Sequence, residues 1–190
     1  WGAVFDSGFW MTALVGASIL AVGMIAVPAL TTEKAVKLFT KFGIYTQSEL
    51  EARADIMYET YVKTIKIEAN TMIHMAAKHY IPTVIGYTTR LAQSITAVAS
   101  ACPEADLSVQ RKLLQDVSTH LSEASAALEQ LKPLMDRVDT IQDVKEMAIA
   151  YRTAVVPAMD ALRYPIDQLE LMVDKSIWPV PTYGDLMFEV

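Results

Sequence analysis

The sequence predicts an all-α protein: an antiparallel bundle of three long helices, with a short leading helix, an apolar N-terminal helix and an extended C-terminal tail. Three observations carry this. Glycine and proline number only 7 and 8 in 190 residues, which suits helices better than a turn-rich sheet. Apolar residues recur in steps of three and four over long windows. Capping residues and prolines stand at the ends of those windows.

Composition narrows the function classes. Hydrophobic residues make up 53% and mean hydropathy is +0.27, enough apolar material to exclude disorder as the dominant state. Acidic residues exceed basic ones, 22 to 16, for a net charge of −6; a general nucleic-acid binder needs the opposite balance. Cys102 is the one cysteine, so neither an intrachain disulfide nor a multi-cysteine metal site can form.

The elements run in order along the chain. Residues 1–30 hold an apolar segment with no charge between Ser7 and Thr32. Its stretch from Phe9 to Leu30 is long enough to cross a bilayer, with Trp10 near one end, Pro28 near the other and Lys34, Lys37 and Lys41 beyond. It reads as a membrane span, as a buried core helix, or as a junction foreign to the helical body. Residues 31–176 form that body. Thr32 caps a short helix, Glu33 to Phe42, that stops at Gly43. Thr46 and Glu49 make a capping box, and the long helix after it carries the stripe Ala54, Tyr58, Tyr61, Ile65, Ala69, Met72, Ala76. Pro82 is predicted to break that helix; Leu91, Ile95, Val98 and Cys102 continue in a second register until Pro103.

Asp106 caps the next helix, whose Leu107, Leu114, Leu121, Leu128 and Met135 recur every seven residues, with Val117, Ala124, Leu131 and Val138 at the other seam position. Pro133 is expected to bend it. Asp139 or Thr140 is expected to cap the last long helix, with the stripe Val144, Ala148, Tyr151, Val155, Ala158, Leu162, Ile166, Leu169, Val173. Pro157 and Pro165 should kink this helix without ending it. The connections are short, so neighbouring helices run antiparallel. Residues 177–190 form a tail that two prolines and a glycine keep from being helical, with Trp178, Tyr183 and Phe188 as anchors.

The residues show no chemistry-bearing constellation. Gly43, Gly86 and Gly184 stand alone, so no glycine loop cradles a phosphate. No glutamate lies three residues before His74, His79 or His120, so the di-metal bundle motif is absent. His74 and His79, five apart, are predicted on different sides of their helix. Cys102 is predicted to be a small buried hydrophobe, and Met57, Met72, Met75, Met147, Met159 and Met172 to be core. Arg152 and Arg163 are assigned to helix partners such as Asp160 or Asp167 rather than to a bound anion. No catalytic, cofactor-binding or metal-ligating residue is assigned.

Two blocks resemble a known family. One runs Leu38-Phe39, Phe42-Gly43-Ile44-Tyr45-Thr46, Glu49-Leu50 and Arg53, then Tyr61, Lys63, Ile65, Ile67-Glu68-Ala69, Thr71-Met72-Ile73 and Tyr80-Ile81-Pro82. The other runs Tyr151-Arg152, Val156-Pro157-Ala158-Met159, Leu162-Arg163, Leu169-Glu170, Val173-Asp174, then Trp178-Pro179-Val180-Pro181-Thr182-Tyr183-Gly184-Asp185-Leu186 and Phe188. From about Val27 to Val190 the chain resembles the C-terminal helical region of type III glutamine synthetases, least so between Ser100 and Asp143.

The resemblance implies a piece of an ATP-dependent ligase that joins ammonia to glutamate through γ-glutamyl phosphate, in nitrogen assimilation. ATP and divalent Mg or Mn are implied only for the full-length enzyme, whose sites lie in an upstream β-rich domain. The implied role for this region is assembly or regulation, non-catalytic alone. The implied partners are the rest of the subunit and neighbouring subunits of a homo-oligomer, in the cytoplasm. The alternative is a membrane-tethered helical sensor or scaffold anchored through residues 9–30.

Overall fold

The computed structural model describes residues 26–181; residues 1–25 and 182–190 lie outside the described residues, and with them most of the apolar segment and the expected anchors Tyr183 and Phe188. Every regular element among the described residues is helical. None of those helices is long and apolar enough to cross a membrane. After a helical turn over 26–30, the elements are α1 (Glu33–Lys41), α2 (Gln47–Met75), a π-helical segment (Ala76–Tyr80), α3 (Ile81–Ala101), α4 (Ser108–Val138), α5 (Val144–Ala150), a second π-helical segment (Tyr151–Val155) and α6 (Val156–Met172).

The caps explain the boundaries. Thr32 Oγ1 accepts from the Ala35 amide, and Gly43 ends α1 at φ 64°, a left-handed angle that costs glycine nothing. At the capping box, Thr46 Oγ1 accepts from the Glu49 amide at 3.3 Å while the Glu49 carboxylate accepts from the Thr46 amide at 2.7 Å. Asp106 accepts from the Ser108 amide at 2.9 Å at the head of α4. The last long helix differs from expectation: Asp143, not Asp139 or Thr140, is its N-cap, accepting from the Glu146 amide at 2.8 Å. Asp139 instead extends the last turn of α4, its amide donating to the Met135 carbonyl, and its carboxylate is engaged elsewhere.

Pro82 does not break the rod. The Ile81 amide donates to the Ala76 carbonyl, a bond that closes one residue later than an α-helical one, and the chain re-enters α geometry with Pro82 in the first turn of α3, where an amide donor is not required. The same arrangement recurs before Pro157: the Val156 amide donates to the Tyr151 carbonyl and α6 begins. Pro133 and Pro165 lie inside α4 and α6, and both helices continue past them.

The chain divides into two compact units. One comprises 26–70 with 134–157. Its core is Leu50, Ala54, Tyr58, Tyr61, Ile65 and Ala69 from α2, with Met135, Val138, Ala148, Tyr151 and Val155. Here α1 has no buried residue. It is held from one side, where the Phe39 ring lies 5.8 Å from the Tyr45 ring and the Arg53 guanidinium sits 4.3 Å over that same tyrosine.

The other unit comprises 71–133 with 158–181. Its core is Met72, Met75, Ala76, Tyr80 and Val84, then Leu107 just ahead of α4, then Val117, Ala124 and Leu131 of the α4 seam, then Met159, Leu162, Leu169, Val173 and Trp178. The two seam positions of α4 are unequal: Val117, Ala124 and Leu131 are fully buried, while Leu114, Leu121 and Leu128 are half-buried. Past Val173 the chain is non-helical, and Trp178 stacks on Tyr80 with ring centroids 5.2 Å apart, an anchor as expected.

Candidate functional site

The most connected polar cluster lies in the first unit. Helix α2 presents Lys66 between the buried Ile65 and Ala69. The end of α4 presents Asp139, and the second π segment presents Tyr151. Lys66 Nζ donates to Asp139 Oδ2 at 2.6 Å, and Tyr151 Oη donates to Asp139 Oδ1 at 2.7 Å. Tyr151 has no exposed surface. Lys66 and Asp139 are half-buried, at 45% and 30% side-chain exposure, so the pair is screened less than a surface ion pair and desolvated less than a core one.

Electrostatics set the protonation states. Burial alone would raise the Asp139 carboxyl, but the hydrogen bonds from Lys66 and Tyr151, with the Lys66 charge, outweigh it and hold the group below its ordinary range. Burial, then the hydrogen bond and charge of Asp139, push the Tyr151 phenol far up. Nearby, burial raises Tyr61, against the pull of the Arg152 charge, and burial raises Glu68. A carboxylate kept ionised by two donors is a poor proton carrier, and a phenol so strongly protonated is a poor base. The cluster acts as a clasp that ties three segments together.

Other predicted positions fall into place individually. His74 and His79 meet, contrary to expectation: their rings lie 5.8 Å apart, edge to face, because the π segment that begins at Ala76 carries residues five apart toward one side. Cys102 is exposed rather than buried, since it caps α3 where the chain turns away. Met57 is 45% exposed; Met72, Met75 and Met159 are core as expected. Arg163 Nε pairs with Asp167 at 3.2 Å, the expected helix partner. An open hollow of about 460 Å³ among Val36, Lys37, Thr40, Lys41, Thr46 and Gln47 contains no acid–base pair. No group of three or more His, Cys, Asp or Glu among the described residues could hold a metal ion. Sequence reasoning missed the clasp. The one signal that could have found it was an aspartate directly after an apolar seam residue, twelve residues ahead of a stripe tyrosine.

The resemblance read from the sequence is met by comparison with known proteins. The family model described as glutamine synthetase C-terminal domain matches residues 18–99, beginning ahead of Val27 and so taking in part of the apolar segment. The chain is 26% identical to a glutamine synthetase of Bacteroides fragilis (strain YCH46) over 149 residues, 76% of this chain and 20% of that one. It is 28% identical to the type-3 glutamine synthetase of Dictyostelium discoideum over 167 residues, 86% and 23%. It is 27% identical to a glutamine synthetase of Butyrivibrio fibrisolvens over 163 residues, 86% and 23%. The chain thus spans about a fifth of the length of the curated relatives it matches.

Proposed function

We propose that this chain, similar to glutamine synthetases over three quarters or more of its length, is the C-terminal helical domain of such an enzyme, non-catalytic alone, with an assembly or regulatory role. The supporting observation is the match of residues 18–99 to the C-terminal domain of that family. On this reading the ligase chemistry, with its ATP and Mg or Mn, belongs to the remaining four-fifths of the enzyme. The partners are the rest of the subunit and its neighbours, and the setting is the cytoplasm.

The test has two arms. The isolated chain should give no ATP- and ammonia-dependent glutamine formation; turnover would overturn the non-catalytic role. A chimera in which this chain replaces the matching segment of the Bacteroides fragilis relative should form glutamine and assemble as its parent does. A version lacking the segment altogether should lose assembly, and its unaltered assembly would overturn the assembly role.

A further inference from the structure

Two exposed stripes carry the same spacing with opposite charge. On α1, Lys34, Leu38 and Lys41 stand at i, i+4 and i+7 and share one face, flanked by Phe42. On α6, Asp160, Tyr164 and Asp167 have that spacing too, with Leu171 four residues on. The apolar members are strongly exposed: Leu38 54%, Phe42 66%, Tyr164 62%, Leu171 81%. Lys34, Lys41 and Asp160 are exposed, and Asp167, although paired with Arg163, keeps 46% of its side chain in solvent. Phe39 lies on another side of α1, against Tyr45, and takes no part in this face.

We propose that the Lys34–Leu38–Lys41 face of one copy docks head to tail on the Asp160–Tyr164–Asp167 face of a second copy. Apolar residues meet at the centre, and each lysine faces an aspartate at the rim. Two α1 faces set against each other would put lysine on lysine, so the charge pattern selects α1 against α6 over α1 against α1. A contact of that type builds a ring if its rotation closes. The proposal rests on the assembly reading above and names its surface.

Sedimentation equilibrium of the 190-residue chain tests it, at low and high salt. The wild type should self-associate, more weakly as salt rises. The double reversals Lys34→Glu/Lys41→Glu and Asp160→Lys/Asp167→Lys should each weaken association about tenfold or more, and combining all four should recover it to within about threefold. A monomeric wild type, reversals without effect, or no recovery in the fourfold variant would overturn the surface. If a reversal unfolds the chain by circular dichroism, Lys34→Gln/Lys41→Gln reads the same contact through a flatter salt dependence, and an unchanged dependence overturns it. Should the surface fail while the chimera still assembles, the assembly reading stands; should association behave as stated while the version lacking the segment assembles normally, that reading falls and the surface stands.

Discussion

Tyr151, with no exposed surface, donates its phenolic hydrogen to Asp139 over 2.7 Å, and Lys66 takes the other oxygen of the same carboxylate. One side chain thereby joins α2, the end of α4 and the second π segment.

Removing the shared acceptor is expected to cost more than removing either donor. Asp139→Ala should lower stability by about 2 kcal/mol, because a buried phenol loses its partner. Tyr151→Phe should cost about 1 kcal/mol, and Lys66→Met less, given its half-exposed side chain. Urea titrations check the order. The Tyr151→Phe/Lys66→Met double variant should depart from additivity, since both donors serve one carboxylate.

The clasp should also shape both ends of the pH–stability curve. Asp139 is depressed in the folded state, so its contribution is present above its ordinary pKa and is lost as pH falls through the folded value. The carboxylates of Glu49, Asp106 and Asp174, lowered chiefly by hydrogen bonds from backbone amides, act in the same direction. Glu68, raised by burial, opposes them. Asp139→Asn should therefore flatten part of the loss below about pH 4. Tyr151 is raised, so its contribution is complete below its ordinary pKa and is lost as pH rises toward the folded value. Tyr151→Phe should flatten the alkaline loss above about pH 10. Thermal melts across pH read both, and parallel curves for variant and wild type would refute the assignment.

Thr46→Ala removes one half of the capping box. It is expected to cost about 1 kcal/mol and to raise amide exchange over the first turn of α2 before other segments respond. Thr46→Ser should retain most of the cap.

Cys102 is expected to react with a thiol reagent in the native chain at nearly the rate of the unfolded one, because its side chain is exposed at the end of α3. Protection by a large factor in the native protein would contradict its placement.

Trp178→Ala should cost about 3 kcal/mol through the lost stack on Tyr80. Trp178→Phe should cost far less. Its indole nitrogen is buried with no hydrogen-bond partner among the described residues, so the substitution forfeits ring area and no bond. Denaturant midpoints of the two variants separate these cases.

Most of the helical pattern was legible in the residues. Each member of the stripe from Ala54 to Ala76 is buried, and Thr32, Thr46 and Asp106 cap where their chemistry puts them. These features depend on near neighbours in the chain. What escaped was tertiary. Asp139 is a good cap by type, but Lys66 and Tyr151 compete for it, and that competition involves a partner 73 residues away. The His74–His79 contact escaped because α geometry was assumed through a segment with π geometry. The clue lay in the spacing: Met72, Ala76, Tyr80 and Val84 are all buried at successive steps of four, whereas an α-helical face drifts about 40° with each such step. A wider turn absorbs that drift.

Those wider turns also bear on how chain length can change. Each π bond closes over one residue more than its α counterpart, directly before a residue with no amide to donate. Residues 76–80 and 151–155 are therefore slack points in otherwise taut rods. Among related proteins, single-residue insertions and deletions should collect at these two places, where a gain or loss is taken up locally and the buried faces on either side keep their phase.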